Sequence, residues 1–435
     1  MANLCRTVGT DADLTASEAV EKIGRGDLTA EALTRACLDR IAEIEDQVHA
    51  FAYLDPDLAI RNAQAADKAG KGGVIQGVPF AMKDIIDTAD MPTGYGSPIY
   101  TGHQAAWNAP CVAACRASGG VALGKTVTTE FAHRHPNETR NPHNTDHTPG
   151  GSSSGSAAAV GAHMVPVAFG TQTTGSTIRP AAYCGTVGYK PSYGDFCVTG
   201  VRDNVPSFDT LGLIARSVDD LALFRAAVMA LPHEPLEAVD VSKLRIGLCR
   251  TAFWDRADAA THALLERTAD SLGAAGATVT EFSLPDGEAT LPGEVVNVSG
   301  FEFSRVMMHE RMEHSDQLSK ALLEGRVADG LRCSYAQYRA SEAVIRDYRQ
   351  RSYAAMEDID LLLTPSAPGE APEGIAKTGD AIFNNIWTTT HVPAVTLPAG
   401  TGPNGLPLGV QLVGHLHQDH RMLSAVKAVQ TAVLL

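Results

Sequence analysis

The sequence predicts an α/β protein in which one sheet is covered by helices on both faces. Three observations support this class: short β-type runs alternate with helical patterns, 44% of the 435 residues are apolar, and only 20% are charged. Such a composition supplies a large core and excludes a disordered chain. No Pro/Ser/Gly-rich linker or internal repeat divides the sequence, so we expect a single domain over residues 1–435.

The first predicted elements are helices within residues 15–70. Thr15 and Glu18 form a capping-box pattern, and Thr29 precedes a second run with helical spacing. Further along, the predicted strands are 78–82, 121–123, 165–169, 244–249, 278–282, 361–364, 394–397 and 409–413. The predicted helices among them are 109–118 and 259–274. Residues 284–345 are mostly helical and carry no recognisable motif, so we expect a layer there that controls substrate access.

The charge balance excludes several classes of partner. Lys and Arg number 35 against 50 Asp and Glu, which gives a net charge of −15. Such a surface repels nucleic-acid phosphates and anionic membranes, so we expect neither as a partner. An anionic substrate would need a local cation.

The cysteines and the N-terminus point to a cytoplasmic protein. Eight cysteines are scattered without a CxxC pair, which predicts small buried side chains rather than a disulfide or metal framework. The opening residues, MANLCRTVGTDADL, lack the apolar region of a signal peptide. The longest weakly polar stretch, 157–170, is too short and too interrupted to span a bilayer.

The segment 147–178 contains no Asp, Glu, Lys or Arg across 32 residues, and it ends at Arg179. We call it the uncharged segment. Its lack of charge predicts burial, yet it is rich in hydroxyls and glycines, which a purely structural core does not need. Backbone N–H groups that converge with serines in an uncharged pocket suit the stabilisation of a developing oxyanion.

Three interpretations of this segment compete. Gly150–Gly155 could open a phosphate-binding loop, but no Gly-Lys-Ser/Thr follows. The same residues match the G-x-S-x-G pattern of a hydrolase elbow with Ser153 central, but Pro149 stands where that elbow needs a strand. The third interpretation is a serine nucleophile that is activated by a group other than histidine.

Several blocks of the sequence resemble the amidase signature family. The matching blocks are 77–84 (GVPFAMKD), 150–159 (GGSSSGSAAA), 170–176 (GTQTTGS), 209–220, 360–365 and 406–414. The resemblance is strong over 70–220 and 355–415 and weak over 230–345. It implies a mixed β-sheet between helical layers, with a catalytic core at 70–220 and a peripheral substrate-access region at 230–345.

The resemblance also implies site residues. Lys83 matches the general base, Ser152 matches the bridging serine that follows a cis peptide bond, and Ser176 matches the nucleophile. The backbone N–H groups that match the oxyanion hole are those of Thr173, Thr174, Gly175 and Ser176. No metal and no organic cofactor is implied, and the partner is a small-molecule amide.

Elementary chemistry makes these roles coherent. A free lysine has a pKa of about 10.4 and therefore donates protons at neutral pH. An uncharged, desolvated pocket lowers that pKa by up to ~3–5 units, which brings the neutral amine within reach. Lys83 would then take a proton from Ser152, which takes one from Ser176 as it attacks an amide carbonyl and forms an acyl-enzyme. The relay reverses to protonate the departing ammonia.

Three positions depart from the commonest family pattern. Gln172 stands where an Asp is common, Thr174 where a Gly is common, and Arg179 lies three residues after Ser176 rather than two. Arg179 resembles the arginine with which malonamidase-type members hold a substrate carboxylate. The alternative is a structural arginine that pairs with an internal carboxylate or carbonyl. The first reading predicts small carboxylate-bearing amides such as malonamate as substrates.

Other readings of the whole chain stay open. The same motifs occur in the glutaminase subunit of tRNA-dependent amidotransferases, which needs partner subunits, and a catalytically silent scaffold is a third possibility. We expect a homodimer for a free-standing amidase. Four histidines, His133, His135, His143 and His147, lack metal-site spacing and are interpreted as solvated or hydrogen-bonding side chains.

Overall fold

The structure, a computed structural model, describes residues 4–5, 9–70 and 72–433. Part of the N-terminal stretch interpreted above, residues 1–3 and 6–8, lies outside the described residues. The strands are β1 (Phe51–Leu54), β2 (Pro79–Lys83), β3 (Val121–Thr126), β4 (Val167–Gln172), β5 (Val187–Lys190), β6 (Thr210–Ala215), β7 (Arg245–Leu248), β8 (Thr278–Glu281), β9 (Leu361–Pro365), β10 (Ala394–Thr401) and β11 (Pro407–Val413).

Helices occupy most of the connections between these strands. They are α1 (Ala16–Arg25), α2 (Ala30–Val48), α3 (Pro56–Ala69), α4 (Pro110–Ala117), α5 (Ser154–Gly161), α6 (Ile178–Tyr183), α7 (Val218–Val228), α8 (Ala259–Ala274), α9 (Leu291–Val306), α10 (Met308–Glu313), α11 (Lys320–Leu322), α12 (Ala328–Arg332), α13 (Tyr335–Ala355), α14 (Ile382–Thr389) and α15 (Asp419–Val433). Among these described helices, none is long and apolar enough to cross a bilayer.

One sheet contains all eleven strands, in the order β1-β3-β2-β4-β6-β5-β10-β11-β9-β7-β8. It is mixed, because β2 runs parallel to β3 and β4 whereas β4 runs antiparallel to β6. The predicted fold class, a mixed sheet flanked by helices, is confirmed. The domain boundaries remain predictions.

Local sequence signals explain the first two helices. Thr15 caps α1 and forms the predicted capping box with Glu18, and the Thr29 hydroxyl accepts from the N–H of Ala32 at the start of α2. The prediction that 15–70 is helical was wrong at β1, a four-residue strand that pairs antiparallel with β3 between α2 and α3.

Helix α5 carries part of the uncharged segment through the centre of the protein. All eight of its residues are buried, as expected of a helix that is not amphipathic. A Cβ atom at Gly155 would lie 2.2 Å from the carbonyl oxygen of Ala50, so only glycine allows this close approach. The serine-rich loop before α5 is thereby held against the core.

Candidate active site

The parallel pairing of β2 with β4 determines where the site lies. Lys83 is the last residue of β2, and Gln172 is the last residue of β4. Because neighbouring parallel strands end at the same edge of a sheet, Lys83 and the loop that carries Ser176 emerge side by side. The turn before α5 adds Ser152 at the same edge.

The side chain of Lys83 is fully buried, with 0% exposure. Its Nζ donates to Ser152 Oγ at 2.6 Å and to Thr171 Oγ1 at 2.7 Å. Burial lowers the pKa of Lys83 well below its usual value, and the negative charge of Asp209 opposes this effect. The lysine thus contacts two hydroxyls, and within the described residues it forms no ion pair.

Ser152 is buried in the turn that precedes α5. The peptide bond between Gly151 and Ser152 is cis. The Ser152 carbonyl accepts from the N–H of Thr129 at 3.3 Å, and the Gly151 carbonyl accepts from Arg179 at 2.6 Å. Both carbonyls that flank the Ser152 side chain are therefore fixed.

Ser176 lies in the loop between β4 and α6, and 8% of its surface is exposed. Its carbonyl accepts from the N–H of Ser153 at 3.2 Å, which fastens this loop to the turn that carries Ser152. Across residues 9–70 and 72–433, no hydrogen bond is formed by the Ser176 hydroxyl. The structure therefore joins Lys83 directly to Ser152 but leaves the Ser176 hydroxyl uncommitted.

The loop from Thr173 to Ser176 presents four consecutive backbone N–H groups. None of them donates a hydrogen bond to another described residue. The next two N–H groups, those of Thr177 and Ile178, both donate to Gln172 Oε1 at 3.0 Å. Buried N–H groups seldom lack acceptors, so this run can receive an oxygen atom from a ligand.

Two further residues hold this loop. Gln172 Nε2 donates to Thr388 Oγ1 at 3.0 Å, and that hydroxyl donates to the Thr174 carbonyl at 2.9 Å. A Cβ atom at Gly175 would lie 2.5 Å from Asn384 Oδ1. The Gln at position 172 thus fastens the start of α6 and, through Thr388 of α14, the loop itself.

The sequence analysis missed Thr171 and Asp209 as site residues. Asp209 accepts from Thr173 Oγ1 at 2.6 Å and from the N–H groups of Asn204 and Val205 at 2.7 Å each. Burial raises the pKa of its carboxyl, and these hydrogen bonds lower it. The hydroxyl of Thr171, five residues before Ser176 in a segment without charges, was the available signal for that residue.

Arg179 is buried, with 6% exposure. Its Nη2 donates to the Gly151 carbonyl at 2.6 Å and to Thr378 Oγ1 at 3.2 Å. The buried Nε has no hydrogen-bond partner among the described residues. Burial lowers the pKa of the guanidinium. Arg179 therefore contacts the peptide bond that leads into Ser152 and retains one unsatisfied donor.

The histidines that precede the uncharged segment do not gather into a metal site. His143 contacts the carbonyl of Cys184, and His147 contacts that of Ala371. In the described part of the chain, no three His, Cys, Asp or Glu side chains are arranged to hold a metal ion.

Comparison with known proteins places this geometry in a family. The family model described as Amidase matches residues 32–423. One of the subunits of glutamyl-tRNA(Gln) amidotransferase from Ectopseudomonas mendocina (strain ymp) is 32% identical over 468 residues, covering 96% of this chain and 97% of that relative. A crystal structure of amidase is similar with a TM-score of 0.87 and 27% identity, covering 96% of this chain and 99% of that one. A chain from "an unexpected vestigial protein complex", which "reveals the evolutionary origins of an s-triazine catabolic enzyme", has the same TM-score and identity and covers 97% of this chain and 100% of its own.

Proposed function

The chain belongs to the amidase family and is an amide-hydrolysing enzyme, and we propose that it cleaves a carboxylic amide to a carboxylate and ammonia with Ser176 as the nucleophile. Lys83 is the general base in this proposal, and Ser152 passes the proton between them. The reaction proceeds through an ester formed between the acyl group and Ser176.

One observation carries the proposal: a buried lysine donates to a serine hydroxyl at 2.6 Å in a segment without charges. Desolvation lowers the pKa of Lys83, so the neutral amine is accessible at a lower pH than for a free lysine. A neutral amine can accept the Ser152 proton, which an ammonium cannot.

The proposed steps balance as follows. The Ser176 proton moves to Ser152 Oγ, and the Ser152 proton moves to Lys83 Nζ, while Ser176 Oγ bonds to the amide carbon. The C–N bond then breaks, and the leaving nitrogen takes a proton back along the same path and departs as ammonia. Water attacks the ester by the same relay and releases the carboxylate.

The unpaired N–H groups from Thr173 to Ser176 support the stabilisation of the intermediate. They lie in the loop of the nucleophile, and no described residue supplies them with an acceptor. We assign them to the oxyanion, whose negative charge gains more from such donors than the neutral carbonyl does. The loss of one such donor lowers kcat by about 10²–10³.

For the substrate, we propose small amides that carry a carboxylate, such as malonamate. The supporting feature is the buried Arg179 Nε, which lacks an acceptor that a carboxylate oxygen could supply. Hydrolysis of malonamate and of neutral propionamide should be compared in the wild type and in Arg179→Ala. Equal efficiency on both amides that Arg179→Ala leaves unaltered would refute carboxylate recognition and leave amidase activity standing.

A second candidate is the glutaminase subunit of a tRNA-dependent amidotransferase. It is favoured by the 32% identity to the glutamyl-tRNA(Gln) amidotransferase relative over nearly the whole of both chains. Light scattering of the purified protein separates the proposed homodimer from a chain that needs other subunits. Glutaminase activity that appears only with a co-purified partner would favour the second candidate.

The experiment that tests the proposed chemistry is a screen of amides by ammonia release, together with labelling by a phosphonofluoridate. We expect one label per active chain, on Ser176, and no label in Ser176→Ala. A folded wild-type protein that stays unlabelled and releases no ammonia would contradict the proposed function.

A further inference from the structure

A second cationic site lies next to the loop of the proposed oxyanion hole. Arg326, in the turn between α11 and α12, donates from Nη1 to Asn204 Oδ1 at 2.7 Å. The N–H of Asn204 donates to Asp209 at 2.7 Å, and Asp209 accepts from Thr173 at 2.6 Å. Three hydrogen bonds thus connect Arg326 to the first residue of that loop.

Asn204 also connects Arg326 to the neighbouring loop. Its Nδ2 donates to the carbonyls of Phe131 and Ala132 at 3.1 and 3.2 Å. Asn204, Ala132, Thr171 and Thr173 line one cavity. The helical segment after β8 therefore contributes an arginine to the wall of the site.

Arg326 has a like-charged neighbour. The charge of Arg134, together with burial as the larger cause, lowers the pKa of Arg326 to about 10. Arg134 is exposed, and its charge also lowers the pKa of the buried Arg179. Two guanidinium groups so close together repel each other, and the repulsion is relieved when an anion binds between them.

The surrounding residues do not neutralise this pair. Asp209 is engaged by three hydrogen bonds, and Asp329 forms an ion pair with Arg332 at 2.9 Å. Among the described residues, neither Arg134 nor Arg326 has a carboxylate within ion-pair distance. The Nε and Nη2 groups of Arg326 likewise have no hydrogen-bond partner there.

Neutral groups cover the remaining surface of Arg326. Its guanidinium carbon lies 5.6 Å from the centre of the Phe303 ring, and that ring lies 5.4 Å from the ring of His133. Burial and the charges of Arg326 and Arg134 lower the pKa of His133, which keeps this imidazole uncharged at neutral pH. The local positive charge thus comes from the two arginines.

We propose that Arg326 and Arg134 bind the anionic end of the substrate's acyl group, which makes dicarboxylic acid monoamides with a longer spacer than malonamate the preferred substrates. The inference rests on the proposed amidase function and specifies its substrate class. Arg326 offers two free donors of a planar fork, the geometry that suits a carboxylate, and Arg134 adds charge from the exposed side. In a chain of net charge −15, this pair supplies the local attraction that an anionic amide needs.

The test compares glutaramate with butyramide, which is similar but lacks the carboxylate. The readout is the ratio of their kcat/KM values, because loss of an ionic contact lowers this ratio whereas general misfolding lowers both rates. We expect Arg326→Gln to lower the ratio by about ten- to hundredfold, the range for a charged hydrogen bond, and Arg134→Gln to lower it less. Arg339→Gln is the matched control, because Arg339 lies in the same helical layer and pairs with Glu342; its ratio should equal that of the wild type.

Binding provides a readout that does not depend on turnover. Calorimetric titration with glutarate should detect binding to the wild type and at least tenfold weaker binding to Arg326→Gln. If glutarate binds as expected but neither amide is hydrolysed, the proposed function fails and the anion site stands. If Arg326→Gln does not fold, Arg134→Gln decides, because its side chain is exposed. A wild-type ratio in Arg134→Gln and in every folded Arg326 variant, or equal binding of glutarate to wild type and variants, would overturn the proposal.

Discussion

The hydroxyl of Thr171 gives a direct test of the lysine base. It lies 2.7 Å from Lys83 Nζ, and both groups are buried. Thr171→Val keeps the shape of the side chain and removes this acceptor. A hydrogen bond from a charged donor is worth about 1.5–3 kcal/mol and one from a neutral donor about 0.5–1.5 kcal/mol. Removing it therefore destabilises the ammonium form by about 1–1.5 kcal/mol more than the neutral amine, which further lowers the pKa of Lys83.

The assay is kcat/KM for a neutral amide as a function of pH, measured by ammonia release. Activity should rise with pH as Lys83 loses its proton, and in Thr171→Val this acid limb should move to lower pH by about one pH unit. Thr268→Val is the matched control, because the Thr268 hydroxyl donates to the Leu264 carbonyl within α8. An acid limb at the same pH in the wild type and in Thr171→Val would refute the assignment of that limb to Lys83.

Three further variants have defined outcomes. Gly175→Ala places a Cβ atom 2.5 Å from Asn384 Oδ1, so we expect about 1–3 kcal/mol of lost stability and a kcat about 10²-fold lower in the ammonia assay; Gly273→Ala, with open space around it, is the control and should retain full kcat. Burial lowers the pKa of Lys83 below its unfolded value of 10.5, so between these two values the unfolded chain holds one more proton and stability rises with pH. Lys83→Met should remove that rise, at most about 1.4 kcal/mol per pH unit, in urea unfolding from pH 7 to 10. Thr15→Ala removes the cap of α1 and should cost about 0.5–2 kcal/mol of stability in the same urea assay without altering kcat.

The strands that the sequence analysis missed contain glycines with a packing role. Periodicity gave no strand at β5 or β6, because Gly188 and Gly212 weaken β propensity. In the structure, a Cβ atom at Gly188 would lie 2.5 Å from the Cβ of Ala181, and one at Gly212 would lie 2.8 Å from Thr177 Oγ1. These glycines let α6 and the residue before it approach the sheet, a tertiary requirement that local propensity cannot reveal.

The candidate site divides in the same way. Lys83, Ser152 and Ser176 were named from motifs, but they are 69 and 24 residues apart in the sequence, and only the parallel pairing of β2 with β4 explains why they meet. Arg326 carried no signal, because its segment has no motif and its partner Asn204 is 122 residues away. Contacts between distant segments depend on the assembled sheet and its loops, which no local pattern encodes.

Three buried lysines show why a lowered pKa alone does not identify the base. Lys83, Lys125 and Lys190 all have fully buried side chains, and burial lowers the pKa of each, that of Lys190 to about 7. Lys125 lies 3.1 Å from a carboxylate oxygen of Asp84, which favours its charged form. Lys190 donates to the carbonyl of Pro191, which has no proton to transfer. Lys83 alone among these three contacts a serine hydroxyl beside a loop with unpaired N–H groups. The transferable proton of its partner, more than the depth of its burial, makes Lys83 the candidate base.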